Sequence, residues 1–153
     1  RLATASVRVP ASDRMGMLKT SSKITHVWSR AEAEAAGADE ALLLNTNDEV
    51  VEAAGSNLFW IKHGAVCTTP TAIGALPGVT RAVVLELCQV LNLRTHKRII
   101  KSPTLHQAEG VFATLSTLGI VPIVSLDGEP LPECDLVADL RRAYWELVQR
   151  ESA

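Results

Sequence analysis

Cysteine is scarce in this chain of 153 residues: Cys67, Cys88 and Cys134 are odd in number and widely spaced. Such a set builds neither a disulfide framework nor a zinc knuckle, and a reducing, cytoplasmic setting is expected. An excess of one charge is also lacking, with a net charge of −2 and a pI near 6.1. Nothing in that balance recommends nucleic acid or an anionic membrane as a partner, and a small anionic ligand would need a local site. No apolar run approaches the roughly 18 residues of a membrane-spanning helix and no signal peptide opens the chain, so a soluble protein is expected. The histidines His26, His63, His96 and His106 have no metal-ligand spacing and pair with no serine or cysteine in a hydrolase motif. Each reads as a surface or satisfied polar residue. There is no internal repeat, low-complexity segment or dividing linker.

What is present is a 47% hydrophobic sequence, long enough for a single domain over residues 1–153 that buries roughly two-thirds of its unfolded surface. It opens on Arg1 inside a strand-like segment, so a preceding portion is expected. Residues 2–9 read as a strand ending at Pro10, and Ala11 to Met17 as a loop that delivers Lys19. After Ser21 or Ser22 as N-cap, Ile24, Val27, Trp28, Ala31 and Ala35 recur at helical spacing until Gly37, predicting a helix that buries this stripe. Strands are expected at 40–45, 50–54, 57–62 and 65–69, then a helix from Arg81 to about Leu91 that buries Val83, Val84, Leu87, Val90 and Leu91. Basic residues crowd Arg94 to Lys101, which reads as a solvated edge strand. A short helix from Ser102 or Pro103 precedes strands at 110–117 and 120–126, a turn at Asp127-Gly128, and a last helix from Cys134 to Arg150. That helix places Leu136, Leu140, Tyr144, Leu147 and Val148 on one face. Trp28, Trp60 and Trp145 read as core or interface anchors.

On the residues alone, Lys19 is a surface lysine, unless Met17 and Leu18 bury it and bring its amine into a nucleophilic range. Glu52 is a strand-end glutamate followed by Ala53, Ala54 and Gly55, small enough for backbone to approach a flat ligand. Pro77-Gly78 opens a helix whose first N–H groups suit a phosphate, while Thr80 could equally be a plain N-cap.

Together these pieces resemble the carboxy-terminal domain of the fold-type IV pyridoxal-phosphate enzymes, the class IV aminotransferase family. The resemblance rests on Lys19-Thr20, Gly37-Ala38-Asp39-Glu40-Ala41-Leu42, Glu52 with Ser56-Asn57-Leu58-Phe59, Gly78-Val79-Thr80-Arg81, and Ser116 with Thr117 ahead of Ile120-Val121-Pro122. It implies an α/β fold, a mixed β-sheet or pseudo-barrel with flanking helices, and pyridoxal 5'-phosphate as cofactor. Lys19 would bond the cofactor aldehyde and move protons, Glu52 would face the pyridine nitrogen within the Ser56 and Asn57 context, and Val79, Thr80, Ser116 and Thr117 would surround the phosphate. A homodimer, a small amino substrate and a smaller amino-terminal domain outside residues 1–153 are also implied. Gly119, where many transaminases of the family have Glu, tilts the reading toward 4-amino-4-deoxychorismate lyase. The alternatives are an aminotransferase for branched-chain or D-amino acids, or a non-catalytic fragment that holds no cofactor.

Overall fold

The computed structural model describes residues 1–11 and 15–152; part of the expected 11–17 loop therefore lies outside the described residues. Strands β1 (Leu2–Val9), β2 (Glu40–Asn45), β3 (Val50–Ala53), β4 (Asn57–Lys62) and β5 (Ala65–Thr68) are joined by the expected turns, with helix α1 (Ile24–Ala35) between β1 and β2. Helix α2 (Val79–Val90), β6 (Thr95–Lys97), β7 (Gly110–Leu115), β8 (Gly119–Ile123), β9 (Ser125–Leu126), β10 (Glu129–Pro130) and helix α3 (Asp135–Glu151) complete the order. The mixed sheet is realised as two five-stranded sheets, ordered β10-β9-β1-β2-β3 and β6-β5-β4-β7-β8.

The sheets face each other. Leu42, Leu44, Val50 and Ala53 of the first pack with Leu58, Trp60, Val111 and Ala113 of the second. The other side of β4 and β7 presents Phe59, Ile61 and Phe112 to Val84, Leu87 and Cys88 of α2 and Val137, Leu140 and Tyr144 of α3. Phe59 and Phe112 are cross-strand partners with rings stacked 4.9 Å apart. Both faces of β2 and β4 are thus covered, which is why their sequences are nearly continuous apolar runs rather than alternating ones.

Helix α1 corrects the sequence reading. Ile24, Val27 and Trp28 are 75%, 64% and 59% exposed, while Ser29 and Ala33 are buried. The outer face of the first sheet is lined by Ala5, Ala41 and Leu43, and small Ala33 lets the helix lie close against it. Helical spacing identified a stripe, not the side that meets the sheet. Its N-cap is Lys23, with no side-chain hydrogen bond, rather than a serine.

Further corrections are smaller. Val90 and Leu91, assigned to the buried stripe of α2, are exposed. Helix α2 starts at Val79 with Gly78 as N-cap, so Thr80 lies inside the first turn instead of capping it. The basic stretch forms only the three-residue β6, after which the Ile100 carbonyl accepts from Val50 N at 2.8 Å and ties the chain to the first sheet. The expected strand 120–126 divides, because β8 stays on β7 whereas Leu126 crosses to pair with Leu2.

Candidate functional site

The turn between β3 and β4 and the loop from β5 to α2 meet beneath α1 and enclose a cavity of about 360 Å3. Lys19, Glu52, Ser56, Asn57, Val79, Thr80 and Ser116 all line it; Thr117 is not among its lining residues. Residues as distant in sequence as Lys19 and Ser116 therefore share one wall, since β7 is antiparallel to β4 and sets Thr114 opposite Asn57.

Glu52 is 7% exposed. Its Oε2 accepts from Asn57 Nδ2 at 2.9 Å and from Leu76 N at 2.9 Å. The same Asn57 amide donates to Leu76 O at 2.8 Å, so one side chain ties the carboxylate to the loop before α2. Oε1 faces His26 Nε2 at 3.9 Å. The carboxylate is thus held through Oε2 by two donors, with Oε1 toward the imidazole of His26.

Two steps along, the chain turns into α2. Gly78 is extended, at φ −65° and ψ 144°, and a Cβ there would overlap Asn57 Oδ1. Its glycine is required by this close approach, not by its backbone angles. The first N–H groups of α2 have no partner within the helix and carry the positive end of its dipole. Val79, Thr80 and Ser116 line the same cavity, so backbone N–H and hydroxyl donors suited to an anion are available there.

Lys19 is exposed, as are Met17 and Leu18, so of the two readings of the residues alone the surface lysine holds and no apolar burial surrounds its amine. Lys23 lines the same cavity. Three residues had escaped the sequence reading. His26 reaches the cavity because α1 turns that side inward; reading its face correctly would have found it. Arg81 is buried at 7% exposure, donates from Nη2 to Thr69 O at 3.0 Å, and leaves Nε without a partner among the described residues. Burial lowers its pKa, opposed by the charge of Glu52. Thr114, which also lines the cavity, carries a buried hydroxyl without a partner among the described residues. Nothing in spacing alone marks Arg81 or Thr114, whose burial comes from strand pairing and the loop packed over them.

A paired-sheet α/β domain thus gathers a clamped carboxylate, a helix amino terminus and a lysine around one cavity. The amino-transferase class IV family profile matches residues 1–126, and the chain belongs to that family, whose members are pyridoxal-phosphate enzymes. The chain is 34% identical over 98 residues to the branched-chain-amino-acid aminotransferase of Escherichia coli K12, covering 64% of this chain and 32% of that protein. It is 30% identical over 114 residues to the D-alanine aminotransferase of Bacillus licheniformis, covering 74% and 40%. Among solved structures, the branched-chain aminotransferase of the archaeon Thermoproteus uzoniensis with norvaline superposes with a TM-score of 0.92 at 30% identity, over 97% of this chain and 50% of that one. A Legionella pneumophila protein provisionally assigned as a 4-amino-4-deoxychorismate lyase matches with a TM-score of 0.89 at 28% identity, over 97% and 55%. The chain thus spans a third to two-fifths of these curated relatives' length and about half of the solved chains.

Proposed function

We propose that this chain is the cofactor-binding part of a pyridoxal-phosphate lyase that converts 4-amino-4-deoxychorismate to 4-aminobenzoate and pyruvate. The observation that carries the cofactor reading is Glu52, clamped through Oε2 in the lining of a cavity that also contains Lys19 and the amino terminus of α2. When bound, pyridoxal phosphate supplies an electron sink for charge developing at the amino-bearing carbon of a substrate. Glu52 would hold the proton on the ring nitrogen, with Asn57 and Leu76 N fixing the carboxylate. Val79, Thr80 and Ser116, which line the cavity, would bind the phosphate; Thr117 is outside its lining and is not needed for this reading. Lys19 would hold the cofactor at its aldehyde and would take and return a proton at Nζ; the side chain is exposed, which leaves it room to move.

The lyase reading draws on the match to the Legionella protein and on Gly119. A Cβ at Gly119 would lie 2.5 Å from Tyr144 Cε1, and φ is +66°. No glutamate fits there, so the acidic residue of many transaminases cannot be accommodated. The packing against Tyr144 also gives this glycine a structural reason of its own, which weakens it as a mark of the reaction. The second reading, an aminotransferase for branched-chain or D-amino acids, is favoured by the names of the curated relatives. Given aminodeoxychorismate without any keto acid, the full protein should make many equivalents of 4-aminobenzoate; conversion that stalls at one equivalent per site supports the aminotransferase. Borohydride reduction and peptide mapping should mark Lys19. No marked lysine at all would leave the non-catalytic reading.

A preceding domain, a homodimer and a cytoplasmic location complete the proposal. Exposed Ile24, Val27 and Trp28 offer the apolar surface a second copy would cover. Val27→Lys should then lower the sedimentation mass without unfolding the chain. Cys67, Cys88 and Cys134 are free thiols, as a reducing compartment would keep them. No helix among the described residues is long and apolar enough to cross a membrane.

A further inference from the structure

The basic stretch after α2 plays no part in the Glu52 cavity, and its placement goes beyond that of a solvated edge. Strand register sets Trp60 beside Cys67 and Cys67 beside His96. Trp60 and Cys67 belong to the core between the sheets, so His96 stands at the point where that core reaches the surface. Here the second sheet and the segment around Ile100 leave a cavity of about 340 Å3 that shares no lining residue with the Glu52 cavity. Its floor is apolar, from Trp60, Ala65, Cys67 and Ile100. Its rim carries Lys62, Arg94 and Arg98, with His63 and His96, and no carboxylate among the described residues lines it.

The rim is also partly preset. Arg94 Nη2 donates to His63 O at 3.0 Å and Lys62 Nζ to Gln107 O at 2.7 Å, which fixes both cations while leaving further N–H donors. The side chains of Arg98 and His96 have no hydrogen-bond or ion-pair partner among the described residues. Glu109, whose charge reaches Cys67, is turned instead onto the hairpin, accepting from His63 N at 2.5 Å and Gly64 N at 3.2 Å. Edge-strand protection requires charges that point outward along a free edge. It does not require cations to converge over an apolar recess whose lining includes no carboxylate among the described residues.

We propose that this recess is a second binding site for a small organic anion, a carboxylate or sulfonate with an apolar body. The body would rest on Trp60 and Ile100 and the anionic head would be taken by Arg98 and His96, a pairing of planar guanidinium with carboxylate that gives direction as well as charge. This does not depend on the reaction proposed for the Glu52 cavity.

The probe is 8-anilinonaphthalene-1-sulfonate, followed by fluorescence, with octanoate as competitor. In the full protein carrying Lys19→Ala, so that the other cavity's amine is removed, binding should saturate, be displaced by octanoate and weaken at high salt. The double variant Arg98→Gln/His96→Gln should bind about ten-fold more weakly or worse, the change expected from losing one charge-assisted hydrogen bond. Thr104→Phe keeps every charge and fills the recess, and should abolish binding. Unchanged affinity in both variants, or a dye that octanoate does not displace, overturns the site.

Discussion

Replacing Gly78 by alanine tests the clamp on Glu52 directly. The backbone at Gly78 is one that alanine adopts freely, at φ −65° and ψ 144°, so on conformational grounds the substitution should stabilise by roughly 0.4–1 kcal/mol. The added methyl, however, would overlap Asn57 Oδ1, and Asn57 must move. Moving it breaks the bond to Glu52 Oε2 at 2.9 Å and the bond to Leu76 O at 2.8 Å. A hydrogen bond to a charged group is worth roughly 1.5–3 kcal/mol and a neutral one about 1 kcal/mol, so Gly78→Ala should cost about 2–4 kcal/mol. Asn57→Ala should cost a similar amount, because it removes the same two bonds. In the Asn57→Ala background the methyl meets no amide, and Gly78→Ala should become neutral or slightly stabilising. Urea denaturation of the four proteins of this cycle would thus give a coupling of about 2–4 kcal/mol, far beyond the few tenths expected of independent sites. Additive costs would refute the reasoning, since they would mean that Gly78 is needed for something other than the Asn57 amide.

Glu52→Gln should separate stability from binding: its carbonyl oxygen can still accept from Asn57 and Leu76, so the denaturation midpoint should move little, while pyridoxal phosphate retained after dialysis falls by about ten-fold or more. Burial pushes the Cys88 thiol up to about 11 from 9.0 and raises the Cys67 thiol as well. Because the unfolded chain loses these protons first, folding stability should fall as pH rises from about 9 to 11, and Cys88→Ala should shrink that slope by about 2–3 kcal/mol over the interval. Cys134, the half-exposed thiol, should react with an alkylating reagent in the native protein well before Cys67 and Cys88, as peptide mapping would show. Ala33→Leu, which crowds the face of α1 that meets the sheet, should cost about 1–3 kcal/mol in urea denaturation, with a smaller cost contradicting the face assigned here.

Residues that act through local chemistry were legible in the sequence. The turns, the order of strands and helices, the near-continuous apolar runs of β2 and β4, and the opening of α2 after Pro77-Gly78 follow from propensity and pattern over a few neighbours. The group of residues that lines the Glu52 cavity was legible only through the resemblance to the class IV aminotransferases, since Lys19 and Ser116 lie far along the chain from Glu52 and no local pattern joins them. What only the tertiary structure decided depends on partners far along the chain. The stripe Ile24, Val27 and Trp28 has the spacing of a buried face, yet the sheet below α1 is lined by alanine and takes Ala33 instead. Lys19 is exposed, which its apolar neighbours Met17 and Leu18 did not foretell. Arg81 is buried by the loop that brings Thr69 to it, and Arg94, His96 and Arg98 converge on a recess because β6 is short and Ile100 crosses to the other sheet. A helical or strand period states which residues share a side; which side is covered, and by what, is set by long-range packing that no local pattern encodes.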